Sequence, residues 1–332
     1  MNGISKACRR LVSGALCLAV LLAAVLCAER ALLPERLDYG ATWSMYLKEP
    51  KNSIDLLVLG SSIAYCDVIP AKIYEDTALT AYVMAGPEQT IPQTYYTLRE
   101  ALKTQSPSAV LLEITGVMFD RYQSYSRINV GYMPRFSLNR LGATINAAEK
   151  EERFGLLFPL FNYHDRWQHT DPRSLFRARR DEKPDIYAGA TLMTLSRSQQ
   201  SRGEREYHVS EEDYAVNISY LKKIEELCGK KGIKLVLFQA PSCACIPEER
   251  MERIRSVIDE GTELKDFNAG FDGMGLDMET DFYDFLHCSV YGAVKFSAAL
   301  SEYVRTIPSL SPRGHDRELW ARRVSALDAL LE

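Results

Sequence analysis

Residues 54–70 read Ile54-Asp55-Leu56-Leu57-Val58-Leu59-Gly60-Ser61-Ser62-Ile63-Ala64-Tyr65-Cys66-Asp67-Val68-Ile69-Pro70. A short apolar run stops abruptly at Gly60, the pattern of a strand buried on both faces of a parallel sheet. Ligands of open α/β sheets bind at the carboxyl ends of such strands. A serine just past the terminating glycine is therefore a candidate nucleophile, although Gly-Ser-Ser is also an ordinary turn.

The same pattern recurs along the chain. Ala81 to Ala85, ending at Gly86, reads as a second strand and Ala109 to Ile114 as a third. Ile233 to Ala240 and Thr262 to Asn268 follow as later strands. Helices are expected between them at 71–76, 93–103, 210–230 and 247–260, with a closing helix at 290–304. In the 210–230 segment, Tyr214, Ile218, Leu221, Ile224 and Leu227 share one face, and Gly232 is a plausible stop. Strands separated by helix-sized gaps indicate βαβ units, an α/β class and a central parallel sheet.

The alternation is interrupted at 119–207, where Pro134, Pro159, Pro172 and Pro184 and the arginines Arg173, Arg177, Arg179 and Arg180 fall. So long a gap predicts an inserted lid or subdomain, mostly helical. The arginine run reads as a solvated face rather than a ligand site. Residues 31–53 read as a connector, and 309–332 as an amphipathic tail helix that packs on the body or on a partner. The organisation expected is 1–30, 31–53, 54–308 and 309–332.

The amino terminus bears on location. Lys6, Arg9 and Arg10 precede Leu11 to Ala28, which carries no charge. That stretch is just long enough to cross a bilayer, and flanking basic residues favour a cytoplasmic amino end. A signal-anchor is the favoured reading, with the rest of the chain extracytoplasmic. A cleaved signal peptide is the alternative, but Leu26 spoils a small-x-small site before Glu29. A net charge of −4 and a pI near 5.9 speak against a nucleic-acid partner. Five of the eight cysteines (Cys66, Cys228, Cys243, Cys245 and Cys288) lie beyond the apolar stretch, an odd number at irregular spacings. No disulfide framework or zinc site is implied.

Near the far end stands Asp281-Phe282-Tyr283-Asp284-Phe285-Leu286-His287-Cys288-Ser289. Asp284 and His287 are three apart and face the same side of a helical turn. A carboxylate so placed can hold an imidazole in the tautomer a general base needs. A serine hydroxyl is a poor nucleophile until such a base takes its proton. Ser62 follows the first strand and the Asp-x-x-His pair follows the last, so both would open on the carboxyl edge. Asp281 competes with Asp284 for the orienting role but lacks the one-turn spacing.

With Gly60-Ser61-Ser62 at one end and Asp284-Phe285-Leu286-His287 at the other, residues 50–308 resemble the SGNH/GDSL hydrolase superfamily. The membrane-anchored Gly-Ser-Ser branch, similar to DltD and to proteins that O-acylate surface polysaccharides, is the nearer likeness. The resemblance implies a three-layer α/β/α, flavodoxin-like domain in which Ser62 is the nucleophile, His287 the base and Asp284 its orienting acid. It implies an oxyanion hole from the N–H groups of Ser62 and Gly86. Where many members carry Gly-x-Asn after the third strand, this chain reads Glu113-Ile114-Thr115-Gly116, leaving Thr115 as the substitute donor. Loss of one side-chain donor costs on the order of a hundredfold in turnover.

His164 and Arg166, within Tyr163-His164-Asp165-Arg166-Trp167, are candidates to reach the substrate site from the insertion, with structural hydrogen bonding the favoured reading for His164. The implied activity is a serine esterase or O-acyltransferase at the cell membrane, acting on a cell-surface polysaccharide or teichoic-acid-like acyl substrate. A membrane-bound acyl-donor protein is a further implied partner, and no metal or organic cofactor is implied. The alternative is a binding or assembly protein of the cell envelope built on a catalytically decayed domain of the same fold.

Overall fold

The computed structural model describes residues 6–36, 39–171, 173, 177, 179, 184–308 and 310–332. Pro172 and Arg180 lie outside the described residues. The chain begins with α1 (Lys6–Leu32), a single turn α2 (Trp43–Tyr46) and β1 (Leu56–Gly60). Next come α3 (Ser62–Asp67), α4 (Pro70–Thr77), β2 (Ala81–Ala85), α5 (Ile91–Ala101) and β3 (Ala109–Glu113). The insertion carries α6 (Ser126–Asn129), α7 (Leu138–Asn146), α8 (Arg153–Leu157), α9 (Leu160–Tyr163) and the 3-10 stretch His164–His169. A two-residue strand, β4 (Gly203–Glu204), precedes α10 (Glu211–Lys231), β5 (Lys234–Gln239) and β6 (Ala244–Cys245). The chain closes with α11 (Glu248–Arg255), β7 (Glu263–Asp266), α12 (Val290–Arg305) and α13 (Arg317–Leu331).

Five strands form one sheet in the order β2-β1-β3-β5-β7, and every pairing is parallel. β4 and β6 make a small separate pair. The continuous apolar character of β1 has a direct cause: successive side chains feed opposite faces. Leu57 and Leu59 join the cluster under α5 and α10, which contains Leu98, Leu221 and Ile224. Leu56 and Val58 join the cluster under α4 and α12, with Ile73, Phe296 and Leu300. Each fully buried side chain of this size contributes about 1.5–3 kcal/mol.

Local signals set several boundaries. The Ser210 hydroxyl accepts from the Asp213 N–H at 3.1 Å, and Glu211, Glu212 and Asp213 crowd the positive end of α10. Lys230 and Lys231 stand at its other end, and Gly232, at φ +66°, stops it. By contrast α11 is shorter than expected, ending at Arg255 rather than Glu260.

Two parts differ from expectation, and the tail helix takes one of the two placements left open. The connector is not a loose link: Trp43 and Tyr46 are buried, and the Tyr46 ring meets Tyr82 edge-on at 5.1 Å. Among the described residues of the insertion, helical structure runs to His169, with Arg173 in 3-10 conformation beyond it. From 184 to 202 it has no helix or strand and runs as a strap along the site edge. Val83 donates to Ala188 O at 2.9 Å, Thr191 to Tyr65 O at 2.8 Å and Arg197 to Phe282 O at 2.7 Å. The tail helix α13 packs on the body, where Trp320 stacks on Tyr74 at 5.0 Å. Its Arg323, fully buried, pairs with Glu49 at 2.5 Å and donates to Asp185 O at 2.8 Å.

Candidate active site

The site is built where the chain leaves β1. Gly60 has φ +147°, and a Cβ there would stand 2.7 Å from Glu113 Cβ and 2.9 Å from Ala64 Cβ. Only glycine allows β1 and β3 to approach so closely at this turn. Ser61 takes the cap position of α3 without capping it, and Ser62 becomes the first helical residue. Its N–H is thus among those at a helix start that lack an intrahelical acceptor.

The Ser62 Oγ lies 2.8 Å from His287 Nε2. On the other side of the ring, Nδ1 lies 3.0 and 2.9 Å from the two Asp284 oxygens. A carboxylate accepts, so Nδ1 carries the proton and Nε2 is left to accept from the serine. Asp284 and His287 do not sit on a helical turn as expected. They occupy a bent loop in which Asp284 Oδ1 also accepts from the N–H groups of Leu286 (2.8 Å) and His287 (2.9 Å). Burial pushes the Asp284 carboxyl up, but these bonds and the His287 ring outweigh it and hold the carboxyl below its ordinary range. Asp281 is engaged elsewhere, with Lys295 at 2.6 Å.

Two buried carboxyls that the sequence reading passed over support this pair of loops. Glu113, the last residue of β3, accepts from Thr115 N–H at 2.8 Å, Thr115 Oγ1 at 2.5 Å and Ser61 Oγ at 3.3 Å. Burial raises its pKa in spite of those bonds. Asp67, at the end of α3, accepts from the Cys288 N–H at 2.9 Å and so ties the nucleophile helix to the residue beside His287. Its other oxygen has no partner, and burial raises its pKa strongly. A charged residue closing the apolar run Ala109-Val110-Leu111-Leu112-Glu113 was a visible signal for Glu113. Nothing local marks Asp67.

Other expected site residues are placed differently. Gly86 follows β2 at the same sheet edge, covered by Asn129 of the insertion, whose Oδ1 a Cβ on Gly86 would strike. Asn129 Nδ2 donates to Pro87 O and Gln93 Oε1, both at 2.9 Å. Thr115 is not a free donor: its N–H and hydroxyl both go to Glu113. Nor do His164 and Arg166 line this site. His164 is exposed with Nδ1 3.0 Å from Phe161 O, and Arg166 donates to Leu32 O at 2.7 Å, at the end of α1. The arginine run divides: Arg173 meets Asp171 in solvent, whereas Arg179 donates to Leu33 O and Pro34 O. Cys66 and Cys288 are buried and their thiols pushed up, which disfavours thiolate chemistry beside Ser62.

These features define an α/β protein with a central parallel sheet, a serine–histidine–aspartate arrangement at its carboxyl edge, and one amino-terminal helix long and apolar enough to cross a membrane. No family model matches the sequence, and a search of curated proteins returns no match.

Proposed function

We propose that this chain is a membrane-anchored, extracytoplasmic serine esterase or O-acyltransferase of the SGNH/GDSL type. The observation that carries the reading is the unbroken line Ser62 Oγ–His287–Asp284, at 2.8 and 2.9 Å. The strand order supports it too, because β2-β1-β3-β5-β7 is the doubly wound order whose crevice opens between β1 and β3.

In this mechanism Ser62 Oγ attacks an ester carbonyl while His287 Nε2 takes its proton. The oxyanion is held by the N–H groups of Ser62 and Gly86, where charge develops only as the tetrahedral intermediate forms. His287 then returns the proton to the departing alkoxide, leaving an acyl-serine. Water, or a sugar or polyol hydroxyl, gives up a proton to His287 as it takes the acyl group, and His287 returns that proton to the departing Ser62 Oγ. The substrate class, a small acyl ester on a cell-surface glycan or teichoic-acid-like polymer, rests on the family resemblance, as does an acyl-donor membrane protein as partner.

A decayed binding or assembly protein is the second reading, favoured by the commitment of Thr115 to Glu113. A fluorophosphonate probe separates the two. The enzyme reading expects labelling of wild type that is absent in Ser62→Ala and strongly reduced in His287→Ala. Absence of labelling in wild type, or equal labelling of Ser62→Ala, overturns it.

A further inference from the structure

Helix α7 of the insertion is inside out. It buries Asn139, Arg140, Ala143 and Thr144 and turns Leu138, Leu141 and Ile145 outward, one face at i, i+3 and i+7. Leu138 is 81% exposed and the preceding Phe136 75%. Close by along the chain, the rings of Phe154, Phe158 and Phe161 meet at 5.1 and 5.0 Å, yet all three remain exposed. Trp167 is 67% exposed. Apolar groups gathered in this way mark an interaction surface rather than an ordinary solvated one.

What covers this face follows from its neighbour. Arg135, beside Phe136, pairs with Glu29 at 3.0 Å, one residue beyond the uncharged stretch Leu11 to Ala28. Arg166, beside Trp167, donates to Leu32 O, and Tyr132 donates to Pro34 O at 3.1 Å. Helix α9 and the 3-10 stretch pack directly on α1. These bonds hold Phe136 and Trp167 level with the end of the apolar stretch, where the surface of any bilayer crossed by α1 must lie. Tryptophan at that depth is favoured because its apolar ring and its indole N–H each find their medium, and Phe136 adds apolar surface beside it. A cavity of about 320 Å³ opens between α1 and the insertion, lined among the described residues by Glu29, Arg30, Arg135, Arg140 and Arg179.

We propose that the insertion is a second membrane contact, its α7 face, phenylalanine cluster and Trp167 resting in the near leaflet beside α1. The inference rests on α1 crossing a membrane, as in the proposed function, and not on the chemistry at Ser62. It sets the site close to the bilayer. Gly40 packs on Ala85 O and Gly86 Cα, and it stands only eight residue steps from Leu32, a reach of at most about 29 Å.

The test uses the full chain in vesicles of phosphatidylcholine and phosphatidylglycerol whose acyl chains carry bromine, a contact quencher of tryptophan. Trp43 and Trp320 are buried, so brominated chains should lower total emission by roughly a third through Trp167 alone. Trp167→Phe should abolish that loss, whereas Trp320→Phe should keep it. Leu141→Trp in the Trp167→Phe background should restore it from the α7 face. Equal quenching of wild type and Trp167→Phe overturns the proposal, as does a Leu141→Trp emission quenched by aqueous iodide and not by the lipid. A protein partner on this face would give that second outcome. Wild-type chain that fails to float with vesicles overturns both the anchor reading and this one, whereas floating without Trp167 quenching overturns this one alone.

Discussion

Replacing Glu113 by alanine removes the one acceptor shared by three donors beneath the nucleophile turn: the Ser61 hydroxyl, the Thr115 N–H and the Thr115 hydroxyl. The residue is fully buried, so water does not take its place. A buried donor left unpaired costs about 1–3 kcal/mol. The Thr115 N–H cannot turn away, while the two hydroxyls can partly re-aim, which brings the expected loss for Glu113→Ala to about 3–5 kcal/mol once the vacated space is included. Glu113→Gln behaves differently. Its oxygen keeps both Thr115 donors and its amide donates to Ser61 Oγ, as a protonated carboxyl would, so the loss should stay within about 1 kcal/mol.

A pH dependence follows with a definite sign. The folded carboxyl has a pKa raised by burial, so between the ordinary carboxyl range and that raised value the folded state holds more protons than the unfolded. Wild-type stability from this group is therefore present at low pH and lost as pH rises through the raised value. Glu113→Gln, having no proton to lose, should gain on wild type over that window. Urea unfolding of the detergent-solubilised chain across pH, followed by circular dichroism, reads both effects. Equal losses for the alanine and glutamine variants, or a wild-type disadvantage that grows as pH falls, would refute the reasoning.

Three further outcomes are expected. Asp284→Asn should leave the thermal midpoint within a few degrees and cut hydrolysis of p-nitrophenyl acetate by about 10³–10⁴-fold, because the amide no longer enforces the Nδ1–H tautomer of His287. Gly60→Ala should cost about 2–4 kcal/mol in urea unfolding, since its Cβ must force β1 from β3 at a backbone conformation that disfavours side chains. Asp67→Ala should cost about 1–3 kcal/mol by orphaning the Cys288 N–H, and Asp67→Asn, which keeps the accepting oxygen, should recover most of that on the same measurement.

The lesson of the carboxyl edge lies in which of its residues a linear reading could find. Ser62, Asp284 and His287 stood out because each obeys a local rule, a glycine stop or a one-turn spacing. Even so, the spacing worked for a different reason: Asp284 gathers the N–H groups of its own loop rather than facing His287 across a helix. Thr115 was named as a donor from its position, but the carboxyl two residues back had a stronger claim on it. His164 and Arg166 were candidates for the substrate site, with structural bonding favoured for His164; the fold sets His164 against Phe161 O and sends Arg166 to Leu32 O at the end of α1.

Sequence alone determined the alternation of strand and helix, the parallel class of the sheet, the interruption after β3 and the uncharged stretch Leu11 to Ala28 at the amino end. Those features are written in short-range periodicity, which burial on one or two faces imposes residue by residue. Only the tertiary structure decided that Glu113 and Asp67 brace the nucleophile turn and the histidine loop, and that α7 points its leucines outward. Those outcomes depend on partners far away in the chain, and no local pattern carries a partner's position.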